Sequence, residues 1–143
     1  MRRALAITLL LSLIAAAGWS ADEEPIEKMI ARADVRSDDQ ALHCADVARR
    51  EVEIANQYYT SGDVPKAVDA VNLAVTYSQK ALDAAKRTHK KLKETDLTLR
   101  KTSRRLSDVG QTLNFEDKPV VKDAVEKIEQ TRSQILGLMF GQK

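Results

Sequence analysis

The sequence predicts an all-α fold: an antiparallel helical hairpin or three-helix bundle with one very long central helix. Composition supports this first. The 143 residues include only 5 Gly and 3 Pro, and 43% are hydrophobic while only 4% are aromatic. Such a chain packs helices through small side chains and lacks what a strand-rich sandwich needs. Periodicity supports it next, because apolar residues recur at steps of three and four along most of the chain. The scarcity of breaks completes the argument.

The first helix spans about 38–60. Ala41, Ala45, Ala48, Val52, Ala55 and Tyr59 lie on one stripe of it. Thr60-Ser61-Gly62-Asp63 ends the pattern, with Gly62 suited to positive φ and Asp63 to capping the next helix. Pro65 is tolerated in that helix's first turn. The second helix is expected over 64–109, where Val68, Val71, Val75, Leu82, Ala85, Leu92, Leu99 and Leu106 continue one stripe to Gly110. A single helix of that length would run about 70 Å. Ser78, His89, Asp96 and Ser103 interrupt the stripe, so its distal half reads as an exposed rod or as broken near Thr95-Asp96. A loop follows, and Asp117 and Pro119 open a third helix over 118–140, with Val121, Ala124, Val125, Ile128, Ile135, Leu138 and Met139 as its apolar face.

Ahead of this domain (38–143), residues 22–37 read as an acidic, weakly packed arm with a short helical pattern at Ile26, Met29, Ile30 and Ala33. Residues 1–21 have the layout of a signal peptide: Arg2-Arg3, an apolar run from Ala4 to Ile14, then small residues to Ala21. The run is too short to span a hydrocarbon core of about 30 Å. The expectation is an exported protein, periplasmic or secreted. Loss of Arg2 and Arg3 with the leader removes the formal charge of +2. Cys44 is the only thiol, so it pairs with no second cysteine in the chain. It reads as a buried small apolar residue or as an intermolecular disulfide partner.

The stretch Ala55-x-x-Tyr58-x-x-x-Gly62-Asp63-x-x-x-Ala67-x-x-x-Val71-x-x-Ala74-Val75 resembles part of a tetratricopeptide (TPR) repeat. It matches the second half of that repeat's first helix, its turn and its second helix. Ala55, Ala67 and Ala74 let two helices approach, Tyr58 fills the gap, and Gly62 makes the turn. The chain departs from the pattern at Glu51, where the family has a large apolar residue, and near Gln79, where it has a proline. Shifting by the repeat length of about 34 residues finds no second copy. The resemblance implies a closely packed αα-hairpin and a protein-binding role.

Charge is segregated along the chain. Between Asp22 and Asp69 there are 12 acidic and 6 basic residues. Lys86, Arg87, Lys90, Lys91, Lys93, Arg100, Lys101, Arg104 and Arg105 then face only Glu94 and Asp96. Such a segment suits an acidic partner or an anionic surface, or balances the acidic first helix within one molecule or across a dimer. Nucleic acid is not expected, because no aromatics interleave with these cations.

Catalytic signals are sparse. Adjacent His43 and Cys44 would point about 100° apart on a helix and not converge on one atom. Asp39, His43 and Asp46 have ligand-like spacing, but no second cluster completes a metal site. No phosphate-binding Gly-rich loop is present. The sequence therefore reads as a non-catalytic envelope adaptor, without cofactor, metal or small-molecule substrate, that binds a protein partner or itself. The alternatives are a protein that associates with anionic membrane or polysaccharide, and a self-assembling coiled-coil structural protein.

Overall fold

The computed structural model describes residues 23–141, and the leader over 1–21 lies outside them. The fold is all-α, with helices α1 (Ile26–Ala33), α2 (Gln40–Ser61), α3 (Val64–Thr88), α4 (Leu92–Gln111) and α5 (Lys118–Met139), and no strand among the described residues. The turn between α2 and α3 follows from local chemistry. Gly62 closes α2 at φ 82°, and the N–H groups of Gly62 and Asp63 donate to the Tyr59 and Tyr58 carbonyls at 3.2 and 2.9 Å. The Asp63 carboxylate then accepts the Lys66 N–H at 3.3 Å, with Pro65 in the first turn of α3.

The single long helix over 64–109 is not what forms. The chain stops at Thr88, reverses through His89-Lys90-Lys91 and restarts at Leu92, several residues before Thr95-Asp96. His89 at φ 50° and Lys91 at φ 56° both adopt the left-handed conformation. The Thr88 hydroxyl steadies the corner, donating to the Ala84 carbonyl at 2.9 Å and accepting the Lys90 N–H at 3.2 Å. Each left-handed non-glycine residue costs about 1–2 kcal/mol. Folding back offsets that cost by fully burying Leu99 and Leu106, which a free rod would leave in water. Burial of such a side chain stabilises by about 1.5–3 kcal/mol. Because His89 is exposed, replacing it with Gly relieves backbone strain without removing core contacts. Thermal unfolding of His89→Gly should show a gain of about 0.5 kcal/mol. A lowered midpoint would mean that the imidazole itself holds the corner.

The reversal replaces the expected three-helix bundle with two stacked hairpins, α2–α3 and α4–α5. Helix α2 packs on α3 and α4, and α5 packs on α4 and α3. Ion pairs fix the directions. Asp39 meets Lys91 at 4.0 Å and Glu53 meets Arg105 at 2.7 Å, so α2 and α4 run parallel. Asp96 meets Arg132 while Ser103 meets Glu129, so α4 and α5 run antiparallel.

The two hairpins share one burial register. Cys44, Ala45, Ala48, Glu51, Val52 and Ala55 of α2 correspond, at one constant spacing, to Thr95, Asp96, Leu99, Thr102, Ser103 and Leu106 of α4, and all twelve are buried. Likewise Ala67, Ala70, Ala74, Tyr77 and Ala81 of α3 correspond to Val121, Ala124, Ile128, Thr131 and Ile135 of α5. The second hairpin uses larger side chains at most of these levels, such as Ala48/Leu99, Ala55/Leu106, Ala74/Ile128 and Ala81/Ile135, but smaller ones at Glu51/Thr102, Val52/Ser103 and Tyr77/Thr131, and it has Gly110 near the end of α4. There a Cβ would lie 2.8 Å from the Val121 Cγ1 atom, so only glycine allows α4 and α5 to approach.

The segment read as an arm is held down at its far end. Met29 and Ala33 of α1 are buried against α2, and the Gln40 side chain donates to the Ala33 carbonyl at 3.1 Å. Beyond α1, Asp34 accepts from the Tyr77 hydroxyl at 3.4 Å and pairs with Lys80 at 3.6 Å. No described helix is long and apolar enough to cross a membrane.

Candidate functional site

The nine cations expected to form one basic face divide into two groups. Arg87 donates to the Gln40 side chain at 2.6 Å, while Lys91 and Arg105 pair with Asp39 and Glu53. These three bind α2 to the rest of the molecule, and Lys91 and Arg105 do so by the charge balancing that an acidic first helix suggested. Lys86, Lys90, Lys93, Arg100, Lys101 and Arg104 are exposed and form no ion pair among the described residues. Lys86 lies in the last turn of α3 and Lys90 in the corner that follows. Lys93, Arg100 and Arg104, at steps of seven and four, follow one outward stripe of α4 with Leu97 among them. Leu97 is 42% exposed.

That stripe borders an open groove of about 410 Å³ between α4 and α5. Gly110, Val121 and Val125 line it together with Lys118, Lys122 and Glu126, so two cations against one acid extend a net positive charge onto α5. The expected core of the second helix is confirmed at Val71 and Leu82, which are buried, whereas Val68 and Val75 are half-buried in the groove between α3 and α5.

The polar interruptions of the apolar stripe each find a purpose. Ser78 donates back to the Ala74 carbonyl at 2.8 Å, and His89 forms the corner. Asp96 accepts from Arg132 at 2.9 Å, Arg132 donates on to Glu129 at 2.8 Å, and Glu129 accepts from Ser103. The Asp96 and Arg132 side chains are only 11% and 15% exposed, so this chain of hydrogen bonds joins α4 to α5 from within.

Cys44 is 1% exposed and its thiol donates to the Ala33 carbonyl at 3.5 Å. Burial pushes its pKa up to about 11, which leaves little thiolate to react. His43, Asp39 and Asp46 do not converge. Among the described residues no three His, Cys, Asp or Glu side chains come together to hold a metal ion. Comparison with known protein families, curated proteins and solved structures returns no match.

Sequence reasoning missed one residue of chemical interest, although it named it as an anomaly. Glu51 is only 4% exposed and forms no hydrogen bond or ion pair among the described residues. Burial raises its carboxyl pKa to about 7, against a weaker opposing pull from neighbouring Arg50. The signal was an acid on an otherwise small, apolar stripe.

Proposed function

We propose that this chain is an exported, non-catalytic adaptor of the cell envelope whose open hairpin end docks an acidic helix of a partner protein. One observation carries the reading. Asp39, just before α2, and Glu53 within it receive Lys91, just before α4, and Arg105 of α4. In the shared burial register, the residues that correspond to Asp39 and Glu53 are Lys90, in the corner before α4, and Arg104 of α4. The outer face of α4 and the corner before it therefore repeat the geometry of a face that already docks a helix, with the charge inverted at these two positions. A third helix seated there needs acids where α4 itself carries bases. The open groove at Gly110, Val121 and Val125 supplies the apolar floor. The leader motif and the TPR-like hairpin point the same way, toward an envelope protein that binds protein.

The test is charge reversal that spares the pairs to α2. Lys93→Glu, Arg100→Glu and Arg104→Glu together should abolish capture of the partner from an envelope fraction while helical circular dichroism stays unchanged. Undiminished capture overturns this surface. Flotation with anionic vesicles in place of protein capture would favour a membrane-associating protein. A stable oligomer in sedimentation that the triple variant dissolves would favour self-assembly.

A further inference from the structure

A second recess lies on the other side of the first hairpin, away from α4 and α5. It is a groove of about 460 Å³ bounded by α1, α2 and α3. Ile26 of α1, Ile54 of α2, and Ala70 and Leu73 of α3 make its walls apolar. Leu73 stands 41% exposed there, with room beside it. Glu51 is the buried polar group that lines this groove, and it forms no ion pair among the described residues.

The charged groups around Glu51 can be taken element by element. From α1, Glu27 lines the groove; from α3, Asp69 does the same, and neither forms an ion pair among the described residues. On α2, the neighbouring Arg50 turns instead to Glu23. Lys66 also lines the groove, but its ammonium pairs with Asp63 at 3.7 Å and lies 5.6 Å from the centre of the Tyr58 ring. The recess thus combines an unpaired buried acid, two acids at its rim and apolar walls. A metal is a poor occupant, because these carboxylates form no cluster that would hold one. An anion would meet three acids.

We propose that this groove is a binding site for a primary ammonium group carried on an aliphatic chain. The ammonium pairs with Glu51, and the chain lies against Ile54 and Leu73. Desolvation makes the single charge-assisted contact selective, since the same recess offers a neutral or anionic head nothing comparable. Two sources carry this chemistry, a free alkylamine and the side chain of a lysine in a peptide.

Nuclear magnetic resonance titration of the full chain tests it with hexylammonium, hexanol and hexanoate as probes. Hexylammonium should shift resonances of residues lining the groove, hexanol should bind about tenfold more weakly, and hexanoate should not bind. Glu51→Gln, close to the native side chain in shape, should weaken hexylammonium about tenfold as well. Equal binding of hexanol and hexylammonium overturns the proposal, and the wild-type series decides this even if the variant fails to fold. Undiminished hexylammonium binding to a folded Glu51→Gln variant also overturns it. N-acetyl-lysine methylamide distinguishes the sources: tighter binding than hexylammonium assigns a peptide lysine, weaker binding a free amine.

Discussion

Urea unfolding of an Arg132→Met variant is expected to show a loss of about 3 kcal/mol, the largest from any single change outside the apolar core. Removing Arg132 leaves Asp96, 7% exposed, without its cation inside the α4–α5 interface. Glu129 loses the same partner. Breaking a buried pair from one side is costly because the remaining charge has neither water nor a counter-ion. The companion variant Asp96→Leu/Arg132→Met should recover most of the loss, since an apolar pair of similar volume carries no desolvation penalty. The midpoint should move while the denaturant slope holds, because the same surface is exposed on unfolding. A loss under about 1 kcal/mol for Arg132→Met would show that solvent reaches Asp96 and that the hairpin is held by its apolar contacts alone.

The second large effect belongs to Glu51, and its sign is opposite. In the unfolded chain Glu51 titrates near the ordinary value of 4.5, while in the folded protein burial holds the proton until about 7. Between those values the unfolded state releases the proton and the folded state keeps it. Stability from this group is therefore complete below about pH 4.5 and is lost progressively as pH rises through 7. Replacing it with Leu, the residue type that the TPR pattern wants there, should stabilise the protein by about 2 kcal/mol at pH 8. At pH 4 the gain should nearly vanish. Denaturation midpoints of Glu51→Leu and wild type at both pH values measure this difference. A gain that is the same at pH 4 and pH 8 would show that Glu51 does not titrate in this window. Retention of so costly an acid fits a site where ligand binding, not stability, set the residue.

The composition and periodicity of the sequence were enough to determine the all-α class, the stripes of α2 and α5, and the turn at Gly62-Asp63-Pro65. Each of these rests on interactions within a few residues. Helix stripes depend on steps of three and four, and a turn depends on which residues tolerate positive φ or cap a helix. The basic segment was equally legible, because it is a matter of composition. The repeat of two hairpins is written in the sequence only where α3 and α5 begin, as Asp63-x-Pro65-x-x-x-Asp69-Ala70-Val71 and Asp117-x-Pro119-x-x-x-Asp123-Ala124-Val125, a spacing that a shift of about 34 residues misses. At the buried positions of α2 and α4 no identity survives, since Ala45 answers to Asp96, Ala48 to Leu99 and Val52 to Ser103.

Tertiary structure alone decided the reversal at His89-Lys90-Lys91, which has neither Gly nor Pro to announce it. Local propensity there favours one continuous helix. The corner exists because Leu99 and Leu106 gain more from burial against α2 and α5 than two left-handed residues cost. That same folding back divides the nine cations into those that bind α2 and those left facing outward. It also determines that Asp96 and Ser103, which look like defects in an apolar stripe, are the polar bridge between α4 and α5. Sequence determined which faces are apolar; packing between distant elements decided which of those faces meet and which charges are left without a partner.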